Sequence, residues 1–202
     1  MSKVSIESIY KVYTNILTPQ ECQDIIDIFP TLETMPASVY GDSDLKDSTF
    51  KVEPENRSGV VAFIKLTDLP HWSKILRTIN HFNERQLLNL NGEYEVQLAK
   101  YEAGDHFTRH QDTSAKQFSR MHDGERTRKI SASVQLSSEK DYTGGDFVFF
   151  TEKNEEGSKA DLVSKKPGTM VVFPSYCEHM VSKVESGTRY SLVLWALGPY
   201  WR

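Results

Sequence analysis

Cysteine is nearly missing: Cys22 and Cys177 are the only two in 202 residues. Two thiols so far apart exclude a disulfide framework and a thiolate metal cluster, and as unpaired thiols they point to a reducing cytoplasm. Long apolar runs are missing too. Spanning a bilayer takes about 18 consecutive apolar residues, and the chain has no such run. The N-terminal MSKVSIESIYKVY lacks the apolar centre of a signal peptide. Positive charge is not in excess: 24 Lys and Arg face 28 Asp and Glu, a net charge of −4. That balance gives no general attraction to nucleic acid or to a membrane surface. No internal repeat or low-complexity tract is found. What remains, 38% hydrophobic and 26% charged residues, is ordinary for one compact soluble domain with a full core.

The first 92 residues read as helical support and a lid, and residues 93–202 as a β-rich core, together one domain. A strand is expected over Val4–Tyr13. Thr18-Pro19-Gln20-Glu21 is a capping box with proline at the first helical position, and Cys22, Ile25, Ile26 and Phe29 follow at helical spacing until Pro30. Residues 31–57 are polar and rich in turn formers, which predicts a long lid-like loop. After a strand from Val60 to Leu66, a second helix is expected from Trp72 to Leu90. Its buried stripe is Trp72, Ile75, Leu76, Ile79, Phe82 and Leu87, and Asn91-Gly92 closes it.

From Glu93 the pattern changes to period two. Strands are expected over Tyr94–Tyr101, Phe107–Gln111, Lys129–Leu136, Asp146–Phe150, Thr169–Phe173, Met180–Val184 and Arg189–Leu197. Residues 152–166 read as a solvated loop. Helices followed by many short strands predict a mainly β fold with flanking helices, a sandwich or jelly roll.

Four pieces carry chemistry. His110-Gln111-Asp112 sits where a strand meets a turn, and alternate strand residues point the same way, so imidazole and carboxylate stand side by side. An isolated His-x-Asp is an ordinary surface pair. His179 follows an apolar strand and a proline turn, and two His with one carboxylate form the facial set that holds iron(II) with open positions. Arg189 shares a strand face with Ser191, Val193 and Trp195. If it points inward, it needs an anion, and its planar fork suits a carboxylate. Ser131, Ser133 and Gln135 form a polar strand face that is either wet or lines a pocket. Tyr101 can add a phenol beside them. His71, His81, His106 and His122 are not read as ligands.

The ordered set Tyr101-x-x-Gly104, His110-x-Asp112, Gly144-Gly145, Phe173-Pro174, His179 and Arg189 resembles the 2-oxoglutarate and Fe(II)-dependent oxygenases, closest to their prolyl 4-hydroxylase-like, PKHD-type branch. Asn15–Cys22 is similar to the start of that branch's N-terminal helix. The resemblance implies a double-stranded β-helix, a jelly-roll or cupin-like core with the metal at one open end. It implies iron ligands His110, Asp112 and His179, and Arg189 pairing the distal carboxylate of 2-oxoglutarate. Tyr101, Gln135, Ser191 and Trp195 are implied as co-substrate or pocket-wall groups. Some relatives carry tyrosine where Gln135 stands, and collagen-type relatives often carry lysine where Arg189 stands.

The implied reaction consumes 2-oxoglutarate and O2, with ascorbate a candidate reductant, and hydroxylates an unactivated C–H bond. A prolyl residue of a protein or peptide is the leading substrate. A free amino acid or small metabolite is the alternative. Residues Ser114–Arg128, with Lys116, Arg120, Arg126 and Arg128, read as a substrate rim or a solvated loop. Two other function classes stay open: a jelly-roll metalloprotein of another reaction class, and a non-catalytic binding module. The first would not need a cation at Arg189, and the second would not need the His110, Asp112, His179 and Arg189 set.

Overall fold

The computed structural model describes residues 9–40, 50–113, 126–154 and 157–199. The N-terminal part contains β1 (Lys11–Tyr13), α1 (Pro19–Ile28), β2 (Met35–Pro36), β3 (Val39–Tyr40), β4 (Phe50–Lys51), β5 (Val60–Ile64) and α2 (Trp72–Gln86). Then come β6 (Tyr94–Tyr101), β7 (Phe107–His110), β8 (Arg126–Gln135), β9 (Tyr142–Gly144), β10 (Phe147–Asn154) and β11 (Gly157–Leu162). The chain continues through β12 (Met170–Pro174), β13 (His179–Val181), β14 (Val184–Gly187) and β15 (Arg189–Pro199).

Helix α1 starts as its sequence dictates. The Thr18 hydroxyl accepts from the Glu21 N–H at 3.2 Å, and the Glu21 carboxylate accepts from the Thr18 N–H at 2.9 Å. Both contacts satisfy donors that a helix start otherwise leaves open. Helix α2 buries Ile75, Ile79 and Phe82, spaced to share one face. It ends earlier than Asn91-Gly92. Leu87 takes a left-handed conformation and is 82% exposed, so it leaves the expected stripe. The Asn83 side chain clasps Leu88, accepting from its N–H at 2.9 Å and donating to its C=O at 3.0 Å. That local clasp competes with helix continuation.

The strands form a seven-stranded sheet in the order β1-β12-β8-β15-β6-β5-β2 and a four-stranded sheet in the order β11-β10-β13-β7, with β14-β9 and β3-β4 as pairs. All pairings are antiparallel. One face of the large sheet packs on both helices. Val96, Leu98, Ile130, Ala132, Val134, Met170, Val172, Leu192 and Leu194 meet Cys22, Ile25, Ile75, Ile79 and Phe82 in one cluster. Burying a side chain such as Ile25 or Ile75 contributes roughly 1.5–3 kcal/mol. The other face looks toward the small sheet, whose Phe147, Phe149 and Val181 close over Val171 and Phe173. Mainly antiparallel strands in two facing sheets, flanked by two helices, give the expected jelly-roll core.

Several boundaries differ. Of the expected first strand only Lys11–Tyr13 is a strand, and residues 1–8 lie outside the described residues. The 31–57 stretch contains β2, β3 and β4 rather than loop alone, while 41–49 lie outside the described residues. Residues 157–162 of the expected 152–166 loop form β11, paired with β10 in a hairpin. Its Leu162 is 71% exposed, so backbone pairing formed this strand without an apolar face to announce it. The expected Met180–Val184 strand is split between β13 and β14. Of the Ser114–Arg128 rim, 114–125 lie outside the described residues. Arg126 and Arg128 belong to β8 and pair with Glu93 and Glu95 across the sheet. Among the described residues no helix is long and apolar enough to cross a membrane.

Candidate metal and keto-acid site

Strand pairing brings the separated motif residues together. His179, the first residue of β13, stands directly opposite His110, the last of β7. Opposed side chains on one face of a sheet are neighbours, and the two rings lie 4.2 Å apart between centroids. Asp112 sits just past β7, anchored where the Thr113 N–H donates to the Ser175 C=O at 3.0 Å. Its carboxylate oxygens lie 3.6 Å from His110 Nε2 and 3.7 Å from His179 Nε2. One ligand atom from each of the three residues lies within 4.8 Å of the other two.

Both imidazoles are aimed by the backbone carbonyl two residues before them. Nδ1 of His110 donates to the Thr108 C=O at 2.7 Å, and Nδ1 of His179 donates to the Cys177 C=O at 3.0 Å. A ring whose Nδ1 carries the proton presents Nε2 as a lone pair, which is what a metal ion takes. Aromatic neighbours fix the ring planes. His110 stacks on Phe107 at 3.4 Å, and His179 stacks on Phe147 at 5.3 Å with Phe173 edge-on at 4.8 Å.

The electrostatics suit cation binding. Burial, then the neighbouring His110, push the His179 imidazolium down to about 4, although Asp112 opposes them. Burial is the largest single influence on Asp112 and raises it, but His179, His110 and Arg128 together outweigh burial and hold the carboxyl well below its ordinary range. At neutral pH the site therefore holds a neutral imidazole at His179 and an ionised carboxylate, the protonation states a metal requires. Cys177, pushed up to about 12 by burial and then by Asp112, stays a thiol.

On the large sheet the interior face is polar and dry. Ser131, Ser133, Gln135, Arg189 and Ser191 are all buried, so this face is not wet. Arg189 points inward and is 0% exposed. It donates to the Gln135 side-chain oxygen and to the Ser191 hydroxyl, each at 3.0 Å, and lies 5.4 Å from the Tyr101 ring centroid. Its Nε has no partner, and no carboxylate of the described residues pairs with it. A buried guanidinium with an idle N–H is costly unless an anion completes it, so the chemistry of Arg189 suits a carboxylate. Tyr142 and Trp195 leave a hydroxyl and an indole N–H unpartnered as well. The Trp195 ring is covered by the Arg128 guanidinium at 3.6 Å, itself held by Glu95 at 2.6 and 2.9 Å.

The donor set therefore fits the groups the resemblance implies. Two imidazole nitrogens and one carboxylate match iron(II) better than a thiolate-loving structural zinc site. The idle Arg189 fork matches the far carboxylate of a dicarboxylate. Gly145 makes room for it: at φ +60 any Cβ there would lie 3.0 Å from Arg189 Cδ. His71 bonds Asp24, His81 bonds Glu84 and His106 bonds Glu55 and Ser58, so none joins the cluster, and His122 lies outside the described residues.

Three residues beside the cluster carried no site reading in the sequence: Phe107, which stacks on His110, Arg57, whose guanidinium lies over the Phe107 ring, and Gln97, which accepts from Arg57 at 2.6 Å. Gln97 had a signal, a polar residue amid Val96, Leu98 and Ala99 that interrupts a strand otherwise fit for burial. Arg57 had none, because it sits in a polar stretch where an arginine is unremarked.

Residues 96–197 match the 2OG-Fe(II) oxygenase superfamily. A PKHD-type hydroxylase of Crocosphaera subtropica is 30% identical over 106 residues, which is 50% of this chain and 42% of that protein. The chain thus spans under half the length of the curated relatives it matches. A prolyl-4-hydroxylase from Pseudomonas putida superposes with a TM-score of 0.66 at 19% identity, over 96% of this chain and 93% of that one. The viral collagen prolyl hydroxylase of Paramecium Bursaria Chlorella virus-1 superposes at 0.63 and 17% identity, over 94% and 96% of the two chains. With the family match covering half the sequence and the metal-ligand geometry intact within it, this chain belongs to the 2OG-Fe(II) oxygenase superfamily.

Proposed function

We propose that the protein is a 2-oxoglutarate-dependent dioxygenase that hydroxylates an unactivated C–H bond of a prolyl residue in a protein or peptide. The observation that carries the oxygenase reading is the inward, 0% exposed Arg189 with an idle Nε beside a His110–Asp112–His179 cluster within 4.8 Å. A jelly-roll metalloprotein of another class has no use for that cation, and a binding module has no use for the cluster.

Iron(II) with 2-oxoglutarate and O2 supplies the oxidising chemistry, and the chain's own residues arrange it. His110, Asp112 and His179 would hold the metal on one side and leave the other side open. Arg189, steadied by Gln135 and Ser191, would bind and orient the keto acid. Phe147, Phe149 and Phe173 keep the metal side dry, which strengthens each charge interaction within it. Support for the prolyl substrate comes from relatives: proteins of this fold include prolyl hydroxylases, one of them, from Trichoplax adhaerens, solved with a hypoxia inducible factor peptide fragment.

The test is anaerobic titration of Fe(II) and 2-oxoglutarate, read by the visible charge-transfer band of an iron-bound keto acid. The wild type should develop the band, His179→Ala should not, and Arg189→Ala should need far more keto acid. A band indifferent to both changes would remove the reading. Mass spectrometry of proline-containing peptides for one added oxygen then tests the substrate.

A further inference from the structure

The exposed and half-buried arginines of the sheets have acids of their own: Arg109 pairs with Glu178, Arg126 with Glu93 and Arg128 with Glu95. Arg189 lacks one, as its role requires. Among the described residues Arg57 lacks one too. It is 7% exposed, and its partners are neutral: the Ser38 C=O at 3.0 Å, the Gln97 side-chain oxygen at 2.6 Å and the Phe107 ring at 4.4 Å. Its Nε is unpartnered. Keeping a guanidinium that deeply buried with no counter-charge is costly unless an anion arrives to complete it.

Its location says which anion. Phe107, under the Arg57 guanidinium, stacks on His110, so Arg57 stands within two stacking distances of a metal ligand. Gln97 lies four residues before Tyr101 on β6, and Tyr101 is the register partner of Arg189. Arg189 reaches Ser191, whose register partner Ala99 lies two residues from Gln97, so the two guanidinium groups open on one shared interior. In the oxygenase reading one carboxylate of 2-oxoglutarate meets Arg189 and the other the metal, which leaves Arg57 for a different anion. Beside Gln97, its register partner Phe63 is 47% exposed, offering an apolar approach from solvent.

We propose that Arg57 is a substrate-binding residue whose guanidinium receives a carboxylate of the substrate, setting the carbon to be hydroxylated beside the His110–Asp112–His179 centre. This rests on the oxygenase reading and narrows its substrate class to molecules with an acid group near the reacting carbon: a C-terminal residue, a residue flanked by an acidic side chain, or an N-acylated amino acid. A purely structural Arg57, bridging Ser38 and Gln97, would make no such distinction.

The experiment uses the whole chain loaded with Mn(II), which resists oxidation, and saturated with 2-oxoglutarate so that Arg189 is occupied. N-acetyl amino acids, N-acetylproline among them, are titrated calorimetrically, each as the free acid and as the primary amide. The best-bound member should bind at least about tenfold more tightly as the acid, the scale of one charge-assisted bidentate pair. Arg57→Gln should erase that preference, and Arg57→Lys should keep part of it. No acid preference in the wild type overturns the proposal without any variant, as does a preference that survives in Arg57→Gln. If 2-oxoglutarate itself fails to bind the Mn(II) protein, the oxygenase reading falls and Arg57 with it. If the keto acid binds and only the acid preference is missing, the reading stands and the Arg57 assignment alone is lost. An acid preference seen in other members but not in N-acetylproline supports Arg57 and removes proline.

Discussion

Along β8, Ile130, Ala132 and Val134 face the helices while their immediate neighbours Ser131, Ser133 and Gln135 face the metal side, and none is more than 5% exposed. The same alternation runs along β15, with Leu192 and Leu194 on one side and Arg189 and Ser191 on the other. The helix face gains stability from apolar contact and needs only shape. The interior face gives up that contact to keep polar groups dry, aimed and incompletely satisfied. A sheet that buries both faces usually reads as continuously apolar. Here half of each strand is polar although buried, so loss of binding and loss of stability should separate by face.

The largest break is expected at the metal ligands. Asp112→Ala removes the carboxylate both imidazoles face, and metal uptake followed by anaerobic calorimetry should fall below detection while the helix-facing core is untouched. Next, Leu192→Ala on the helix face should cost about 2–5 kcal/mol by chemical denaturation. The protein that remains folded should keep its affinity for 2-oxoglutarate. Acid should weaken the metal-free protein through His179 on the small sheet. His179 sits at about 4 when folded against 6.5 unfolded, so between those values the unfolded chain binds more protons and stability falls as pH falls. The effect is on the order of 3 kcal/mol, complete below pH 4 and absent above about 6.5. Denaturation of the apo protein at pH 7 and pH 5 should register about 2 kcal/mol of it, and His179→Gln should flatten the slope. The smallest effect is expected from Gln135→Leu. It should change stability little but weaken 2-oxoglutarate about tenfold by freeing Arg189 from one of its two supports. Equal losses of stability and binding in Leu192→Ala and Gln135→Leu would erase the distinction between faces.

The same two-faced alternation explains what could be read in advance. The helix faces, the capping box at Thr18 and the strands from Tyr94 onward were legible because each leaves a local period in the sequence. The metal set was legible only as an ensemble: His-x-Asp alone is common, but His110-x-Asp112, the distant His179 and Arg189 in that order carried the family resemblance that implied the ligands. The wet-or-buried question for Ser131, Ser133 and Gln135 was not, since burial of a polar face depends on a second sheet closing over it. Arg57 and Phe107 were hidden for a related reason: an isolated bridge between them, not a periodic strand, brings Arg57 to the site. The second histidine nitrogens were hidden because their acceptors, the Thr108 and Cys177 carbonyls, are backbone and carry no residue identity.

The residues outside the family-matched stretch do more than flank it. The Cys22 thiol of α1 lies 3.8 Å from the backbone oxygen of Gln135, the residue that steadies Arg189, and β1 runs hydrogen-bonded along β12, whose end leads to His179. Residues 96–197 are thus not a portable cassette. Grafted elsewhere or expressed alone, they would present Val96, Leu98, Ile130 and Leu192 to water and lose the backing that holds Gln135 in register. Engineering that swaps this half between relatives should carry β1, α1 and α2 along with it.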